Sequence, residues 1–393
     1  MIRSRSPVPD PAVSSAFCRS PALPRGFALE GGGLAGRLYL LPSGIVAGEQ
    51  AASAIIAGHG WPLAEGLLAF TQMGIILRDG EQAHLAVAPF AEAVEWCEGD
   101  SPDLARHLGA LVQRIGARRA PWGGVAMDQP VIMGIVNVTP DSFSDGGEVF
   151  STGSAVARAV AMVEAGAAII DVGGESTRPG AEPVSVDEEA RRVIPVVRTL
   201  AEKGVRVSID TRNAAVMDQA VAAGAVIIND VTALLGDPKS LGVAAKSGAA
   251  ICLMHMQGDD PRTMQADPHY DCAPLDVYDH LAGRVAACEA AGITRSRLCL
   301  DPGIGFGKSP EHNAQILGSL ALLHGLGLPL LLGVSRKSFV ARLSRGEAAK
   351  DRLPGTLAAN LAGLDAGVQV LRVHDVAETM QALAVWHALR MGG

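Results

Sequence analysis

From Val131 onward the chain repeats one pattern: a short apolar run, an abrupt polar residue, then a stretch with helical signals. The runs fall at 131–137, 167–173, 205–210, 225–229, 249–254, 298–301, 328–334 and 368–373. Runs this short and this uniformly apolar are what strands buried on both faces look like, and the segments between them are long enough for helices. Ser154 and Ser185 stand where N-caps are needed, and Gly166, Gly204, Gly224, Gly248 and Gly292 stand just past the expected helix ends. Eight strand–helix units over roughly 260 residues predict an α/β fold of the closed (β/α)8 TIM-barrel kind, because an open doubly wound sheet usually stops at about five or six strands.

A closed barrel gathers the ends of its strands at one mouth, where barrel enzymes place their chemistry. In order, these strands end at Asn137, Asp171, Asp210, Asn229-Asp230, His255, Asp301, Ser335-Arg336-Lys337, and Arg372 with His374. Any one such residue can simply cap a helix or turn the chain. Asp171 and Asp230 read equally well either way. Asp210, Asn229 and Asp301 close apolar runs directly, where a polar side chain needs a partner, and they read as ligand groups. Lys337, one of only six lysines in the chain, follows a long apolar stretch and reads the same way. Arg372 and His374 share a strand face by the period of two, at the end of the eighth strand, where barrels commonly bind phosphate; a capping histidine is the plainer alternative for His374. The stretch after Glu175 is long for a strand-to-helix loop, which marks it as functional. Asp301-Pro-Gly-Ile-Gly-Phe-Gly-Lys308 superficially resembles a phosphate loop but lacks its spacing and its Ser/Thr. Its glycines read as freeing the backbone to swing Phe306 over the mouth, with a core role for Phe306 as the plainer alternative, and Lys308 reads as an exposed loop charge.

With 48% hydrophobic and 19% charged residues the chain can bury a sizeable core. A net charge of −8 with no block of Lys and Arg argues against a nucleic-acid surface. Asn313 to Ser335 carries no formal charge, yet Gly325, Gly327 and Pro329 interrupt it, so it reads as helix, turn and strand rather than a membrane span. The six cysteines have no zinc-ligand spacing and read as reduced thiols of a cytoplasmic protein; the start of the chain lacks the apolar core of a secretory signal. Residues 1–26 read as a flexible tail, 27–125 as a small α/β appendage of open role whose end, Arg118–Gly124, is the linker into the main domain, and 126–393 as the barrel.

The residues themselves resemble a known family. Ile135-Val-Asn-Val-Thr-Pro-Asp-Ser-Phe-Ser-Asp-Gly-Gly147, Asp171-Val-Gly-Gly-Glu-Ser-Thr-Arg-Pro-Gly180, Leu253-Met-His-Met-Gln257, Asp301 to Lys308, Ser335-Arg-Lys-Ser338 and Arg372-Val-His-Asp375 are similar to dihydropteroate synthase, over about residues 128–390. The resemblance implies condensation of 6-hydroxymethyl-7,8-dihydropterin diphosphate with p-aminobenzoate, and sensitivity to sulfonamides. By position it implies Asn137 as the protein ligand of Mg2+, Arg372 and His374 on the diphosphate, and Asp210, Asn229, Asp301 and Lys337 on the pterin edge, with Met254 against the ring. It implies Thr177, Arg178, Pro179, Phe306 and Ser338 around p-aminobenzoate, Asp141 as a catalytic helper, and Phe143, Ser176 and Pro179 as positions where sulfonamide resistance would arise. A homodimer through helices near the C-terminus is also implied, with Leu357–Leu364 and Val376–Leu389 apolar enough to contribute. A corrinoid-linked pterin methyltransferase and a non-catalytic pterin-binding paralogue are the competing readings. The Ser-Thr-Arg-Pro and Ser-Arg-Lys-Ser motifs favour the synthase over the first, for which the sequence shows no corrinoid-binding signature, and the second has no physical reason to keep both subsites.

Overall fold

The structure, a computed structural model, describes residues 14–20, 37–100, 102–138, 152–175, 184–258, 263–265 and 267–391. Its N-terminal part is a five-stranded sheet of β1 (Cys18–Ser20), β2 (Leu38–Ala47), β3 (Trp61–Leu63), β4 (Leu68–Asp79) and β5 (Gln82–Pro89), in the order β1-β5-β4-β2 with β3 also on β4. Asp79 pairs with Gln82, so β4 and β5 are joined by a two-residue turn, and Gly80 at φ +60 supplies the left-handed residue such a turn needs. Helix α1 (Gly48–Ile56) links β2 to β3, and α2 (Phe90–Asp100) and α3 (Pro102–Gly116) follow β5. Leu108, Leu111, Val112 and Ile115 form one apolar stripe at helical spacing on α3, all buried. That stripe and β2 pack on the barrel's 3-10 turn Leu320–Leu326, and Tyr39, Leu40, Leu63 and Phe70 share one continuous apolar core with Leu322, Leu323 and Leu326. The stretch read as a flexible tail therefore contributes an edge strand: β1 pairs in parallel with β5, and Ser14 hydrogen-bonds Glu311 of the barrel.

The barrel strands are β6 (Val131–Asn137), β7 (Ile169–Gly173), β8 (Val207–Asp210), β9 (Ile227–Asp230), β10 (Ala250–Met254), β11 (Leu298–Asp301), β12 (Leu331–Leu332) and β13 (Val370–Val373). All pair in parallel in the order β11-β10-β9-β8-β7-β6-β13-β12. A parallel bridge between Leu300 and Leu330, with Leu300 N donating to Pro329 O at 2.9 Å, closes the ring. The seventh strand is only two residues long in regular pairing. Helices α4 (Thr152–Glu164), α5 (Val186–Glu202), α6 (Ala214–Ala222), α7 (Ser240–Ser247), α8 (Ala273–Ala290), α9 (Pro310–Gly318), α10 (Ser338–Leu343), α11 (Leu353–Asp365) and α12 (Val376–Met391) surround it. Ser185 caps α5 by accepting from Glu188 N. Ser154 lies inside α4, which starts earlier than the sequence suggested. The five glycines expected past helix ends all have positive φ. Among the described residues no helix is long and apolar enough to cross a membrane, and the 313–335 stretch is helix, 3-10 turn and strand.

Residues 118–124 are not a free linker. Trp122 is fully buried and its indole N–H donates to Ile251 O at 3.3 Å. It packs with Met133, Ile169, Ile227, Cys252, Cys299, Leu331 and Val370, the inward residues at the N-terminal end of the strands, so it plugs the barrel floor. Gly123 and Gly124, both at positive φ, turn the chain back so that Val125 bridges Trp122. Arg119 beside it is buried, donating to the carbonyls of Arg114, Ile115 and Ala117 and to His324 Nδ1. Trp122→Ala is expected to lower the free energy of unfolding by about 3–5 kcal/mol, read from urea denaturation, because the collapsed ring cannot refill that volume; a change below about 1 kcal/mol would show the floor to be self-sufficient.

Candidate active site

Register explains how the mouth is assembled. Asn137 stands opposite Gly173, Gly173 opposite Asp210, and Asp210 opposite Asn229, so three polar residues share one level across four adjacent strands. Gly173 leaves room between them: a Cβ there would lie 3.5 Å from Asp210 Oδ2 and 3.7 Å from Asn137 Oδ1. One level deeper, Asp171 is fully buried. Its Oδ2 accepts from Asn229 Nδ2 at 3.0 Å and from Arg372 Nε at 2.6 Å, while Arg372 reaches Asp210 Oδ2 at 2.6 Å with its second arm. The two carboxylates thus hold the guanidinium across the mouth. Burial works against the charge of Arg372, but Asp171 and Asp210 outweigh it and keep its pKa above the usual value. Burial raises the pKa of Asp210, opposed by Arg372.

The two aspartates that sequence left ambiguous separate here. Asp171 belongs to the site. Asp230 forms a turn, accepting from Thr232 N at 2.7 Å, Thr232 Oγ1 at 2.7 Å and Leu234 N at 3.0 Å.

Opposite this group, Asp301 and Lys337 face each other across Gly333. A Cβ on Gly333 would lie 3.7 Å from Asp301 Oδ2, 3.8 Å from Lys337 Nζ and 4.0 Å from Arg372 Cβ, so the missing side chain is what leaves space between them. Lys337 Nζ donates to Ile304 O at 2.6 Å and sits 4.5 Å from the centre of the Phe306 ring. Burial lowers its pKa to about 8, with Asp301 pulling the other way. Met254 is buried beside Gly303, in a small cluster with Val231, Met256 and Met264 on which Phe306 packs. Ser338 is exposed at the start of α10.

His374 completes the rim. Ser335 Oγ accepts from His374 N at 3.1 Å and lies 2.9 Å from His374 Nδ1, fixing the orientation of the ring. Burial and the nearby Arg372 push the pKa of His374 down to about 3, which leaves it a neutral donor.

Lys308 corrects the expectation of an exposed charge. Its ammonium is buried and bonds His255 Nδ1 at 2.8 Å and the carbonyls of His255, Gly303 and Phe306 at 3.2, 2.9 and 2.9 Å. It pins the sixth loop to the fifth. Gly303 is required there: an added Cβ would stand 1.8 Å from His255 O, at φ +66. Sequence reasoning missed this, although a lysine ending a glycine-rich loop has a stem long enough to reach back to the loop's own carbonyls. It also missed Arg212, whose Nε and terminal nitrogen reach the two oxygens of Glu175, each at 3.3 Å, at the base of the second loop. Asp141, Phe143, Ser176, Thr177, Arg178 and Pro179 lie outside the described residues.

The profile of pterin binding enzymes matches residues 133–374, which includes every described site residue from Asn137 to His374. Dihydropteroate synthase of Escherichia coli strain K12 is 48% identical over 268 residues, covering 67% of this chain and 94% of that protein. The solved structure of Yersinia pestis dihydropteroate synthase with a sulfonamide drug has TM-score 0.65 at 46% identity, covering 68% of this chain and 96% of that one. Xanthomonas albilineans dihydropteroate synthase with 4-aminobenzoic acid gives TM-score 0.65 at 46% identity, covering 69% and 98%. With these likenesses over a mouth of this geometry, the chain belongs to the dihydropteroate synthase family of pterin-binding transferases.

Proposed function

We propose that the mouth holds 6-hydroxymethyl-7,8-dihydropterin diphosphate in its depth and p-aminobenzoate nearer the rim, and joins them to 7,8-dihydropteroate with release of diphosphate. The observation that carries this is the space over Gly333, bounded by Asp301, Lys337 and Arg372. A pterin edge presents N–H donors beside a ring oxygen and nitrogen. Asp210, Asn229 and Asp301 supply acceptors, and Lys337 donates to the oxygen and nitrogen. Met254 lies at the depth where the ring face would rest.

Arg372 and His374 bind the diphosphate from one strand end. The guanidinium carries the charge, and His374 adds a neutral ring oriented by Ser335. As the methylene C–O bond breaks, its electron pair leaves with the diphosphate and positive charge spreads from the methylene carbon into the pterin ring. The anionic carboxylates around Arg372 favour that cation, and Asp141 is assigned the same duty. The amine of p-aminobenzoate then forms the C–N bond and loses a proton. Thr177, Arg178, Pro179, Phe306 and Ser338 would position it, with Ser338 toward its carboxylate; no nucleophilic side chain is needed.

Mg2+ fits the diphosphate end. Among the described residues no cluster of three His, Cys, Asp or Glu side chains could hold a metal, whereas Asn137 offers one neutral oxygen at the site's level. A hard cation that takes most of its ligands from phosphate and water matches that donor set. Bound there, it would neutralise charge on the leaving diphosphate.

The Yersinia pestis relative solved with a sulfonamide drug supports that class as inhibitors. Free thiols at Cys18, Cys252, Cys272, Cys288 and Cys299 support a reducing, cytoplasmic setting. Val385 and Leu389, 55% and 75% exposed on α12, support the homodimer; a monomer mass at every concentration in sedimentation would remove it.

The full chain should release diphosphate only when pterin diphosphate, p-aminobenzoate and Mg2+ are all present, and chelation should stop it; pterin binding without release would leave a binding protein. Arg372→Lys, which keeps charge but loses the fork between two carboxylates, should cut kcat by about 10²-fold with the circular dichroism unchanged. Because kcat/KM reports groups of the free enzyme, kcat/KM for the pterin substrate should fall as pH rises through about 8, where Lys337 passes from donor cation to neutral amine. A flat profile from pH ~7 to ~9 would take Lys337 out of pterin binding.

A further inference from the structure

We propose that the N-terminal sheet braces the fifth and sixth loops of the barrel mouth, and that Arg78 is a positioning residue for p-aminobenzoate; this rests on the reading of the site given above. Arg78 lies near the end of β4 and leaves its own sheet to meet the start of α8. Its guanidinium is 2.7 Å from Asp276, 3.2 Å from Asp279 and 3.6 Å from Asp271, with its side chain only 19% exposed. Tyr39 of β2 adds a hydroxyl donated to Asp279 at 2.9 Å. Three carboxylates this close repel one another, and a cation reaching in from another sheet relieves that repulsion only while the sheet stays docked.

The contact continues toward the site. Asp276 accepts from Cys272 N at 3.1 Å, and Cys272 Sγ lies 3.6 Å from Ala16 O, just before β1. Ser14 engages Glu311, and Gln315 Nε2 donates to Ser14 O at 3.1 Å, so the same segment also lies on the first turns of α9. These touch the two ends of the mouth loops from outside: α8 begins where the fifth loop ends, and α9 begins where the sixth loop ends. Inside the fifth loop, Gln257 pairs with the backbone of His269, and Tyr270 donates its hydroxyl to Gly307 O at 2.7 Å. Tyr270 also stacks edge-on to His312, with ring centres 4.8 Å apart. Gly307 follows Phe306, whose ring lies beside Lys337. The path from Arg78 to Phe306 therefore runs by contact to Asp276 and Cys272, along the chain through Asp271 to Tyr270, by hydrogen bond to Gly307, and along the chain to Phe306. The described residues of the fifth loop, 255–258, 263–265 and 267–272, form no helix or strand, so an external anchor at the loop's end limits how far Tyr270 and Phe306 can wander.

A sheet that is only a scaffold would change stability and nothing else. The test uses the full-length chain with Arg78→Ala, Arg78→Lys, and Arg37→Ala as a control, since Arg37 pairs with Asp79 within the sheet itself. Hydrogen–deuterium exchange reads the brace without needing turnover. Peptides covering 255–258 and 303–308 should exchange faster in Arg78→Ala and unchanged in Arg37→Ala. In steady-state assays, Arg78→Ala should raise KM for p-aminobenzoate by about tenfold while KM for the pterin diphosphate stays within about twofold, and Arg78→Lys should recover most of the loss. Should Arg78→Ala not fold, Tyr270→Phe removes a single inner link and should raise the same KM. Unchanged loop exchange, or KM values for both substrates equal to those of the unsubstituted chain, overturns the brace. Absence of amine-dependent turnover in the unsubstituted chain would instead overturn the synthase reading, with the exchange result still deciding the brace.

Discussion

The site depends on one buried arrangement, Arg372 held between Asp171 and Asp210. Three charged groups are taken largely out of water at the centre of the barrel, and each is tolerable only because the others are there. Removing one partner from such a set typically costs about 3–5 kcal/mol, since it leaves an uncompensated charge in a dry place. Among the described residues one oxygen of Asp171 has no hydrogen-bond partner. The arrangement holds the Arg372 guanidinium in one orientation at the end of the eighth strand. The neighbouring neutral groups follow from it: His374 is kept unprotonated partly by the charge of Arg372, and Asn229 is oriented by Asp171.

Around this fixed centre the loops are tied by unusual means. Lys308 hydrogen-bonds carbonyls of its own loop and His255, and Gly303 presses directly against the His255 backbone, so the fifth and sixth loops form one unit. Phe306 is carried on that unit, resting on Met254, Met256 and Met264 with Lys337 at its face. Flexible methionines beneath an aromatic ring accept small shifts of the loop with little penalty, while the polar ties limit those shifts. The N-terminal sheet bears on this unit from outside and shares the barrel's core, and its connecting segment closes the barrel floor with Trp122.

Much of this was legible in the sequence. Strand ends are local events: an apolar run stops, a polar residue follows, and the closed ring brings those residues together. Asn137, Asp210, Asn229, Asp301, Lys337, Arg372 and His374 could therefore be named from their positions alone. Asp171 and Asp230 could not be told apart, because each is an aspartate after a buried run followed by a turn; only the approach of Arg372 from the eighth strand distinguishes them. Lys308 looked like a solvent charge for the same reason, since the carbonyls that bind it belong in part to another loop.

The N-terminal region marks the limit most clearly. Its sequence reads only as a small α/β appendage, and no pattern within it says what Arg78 of β4 will meet. Periodicity and end signals determined the barrel, the order of its strands and the set of residues at its mouth, because those depend on neighbours along the chain and on the closure of a parallel ring. The pairing of Arg372 with two particular carboxylates, the plugging of the floor by Trp122, and the seating of Arg78 among Asp271, Asp276 and Asp279 were decided only by tertiary structure. Each joins residues far apart in sequence, and such contacts are selected by shape and charge in three dimensions that no local pattern encodes.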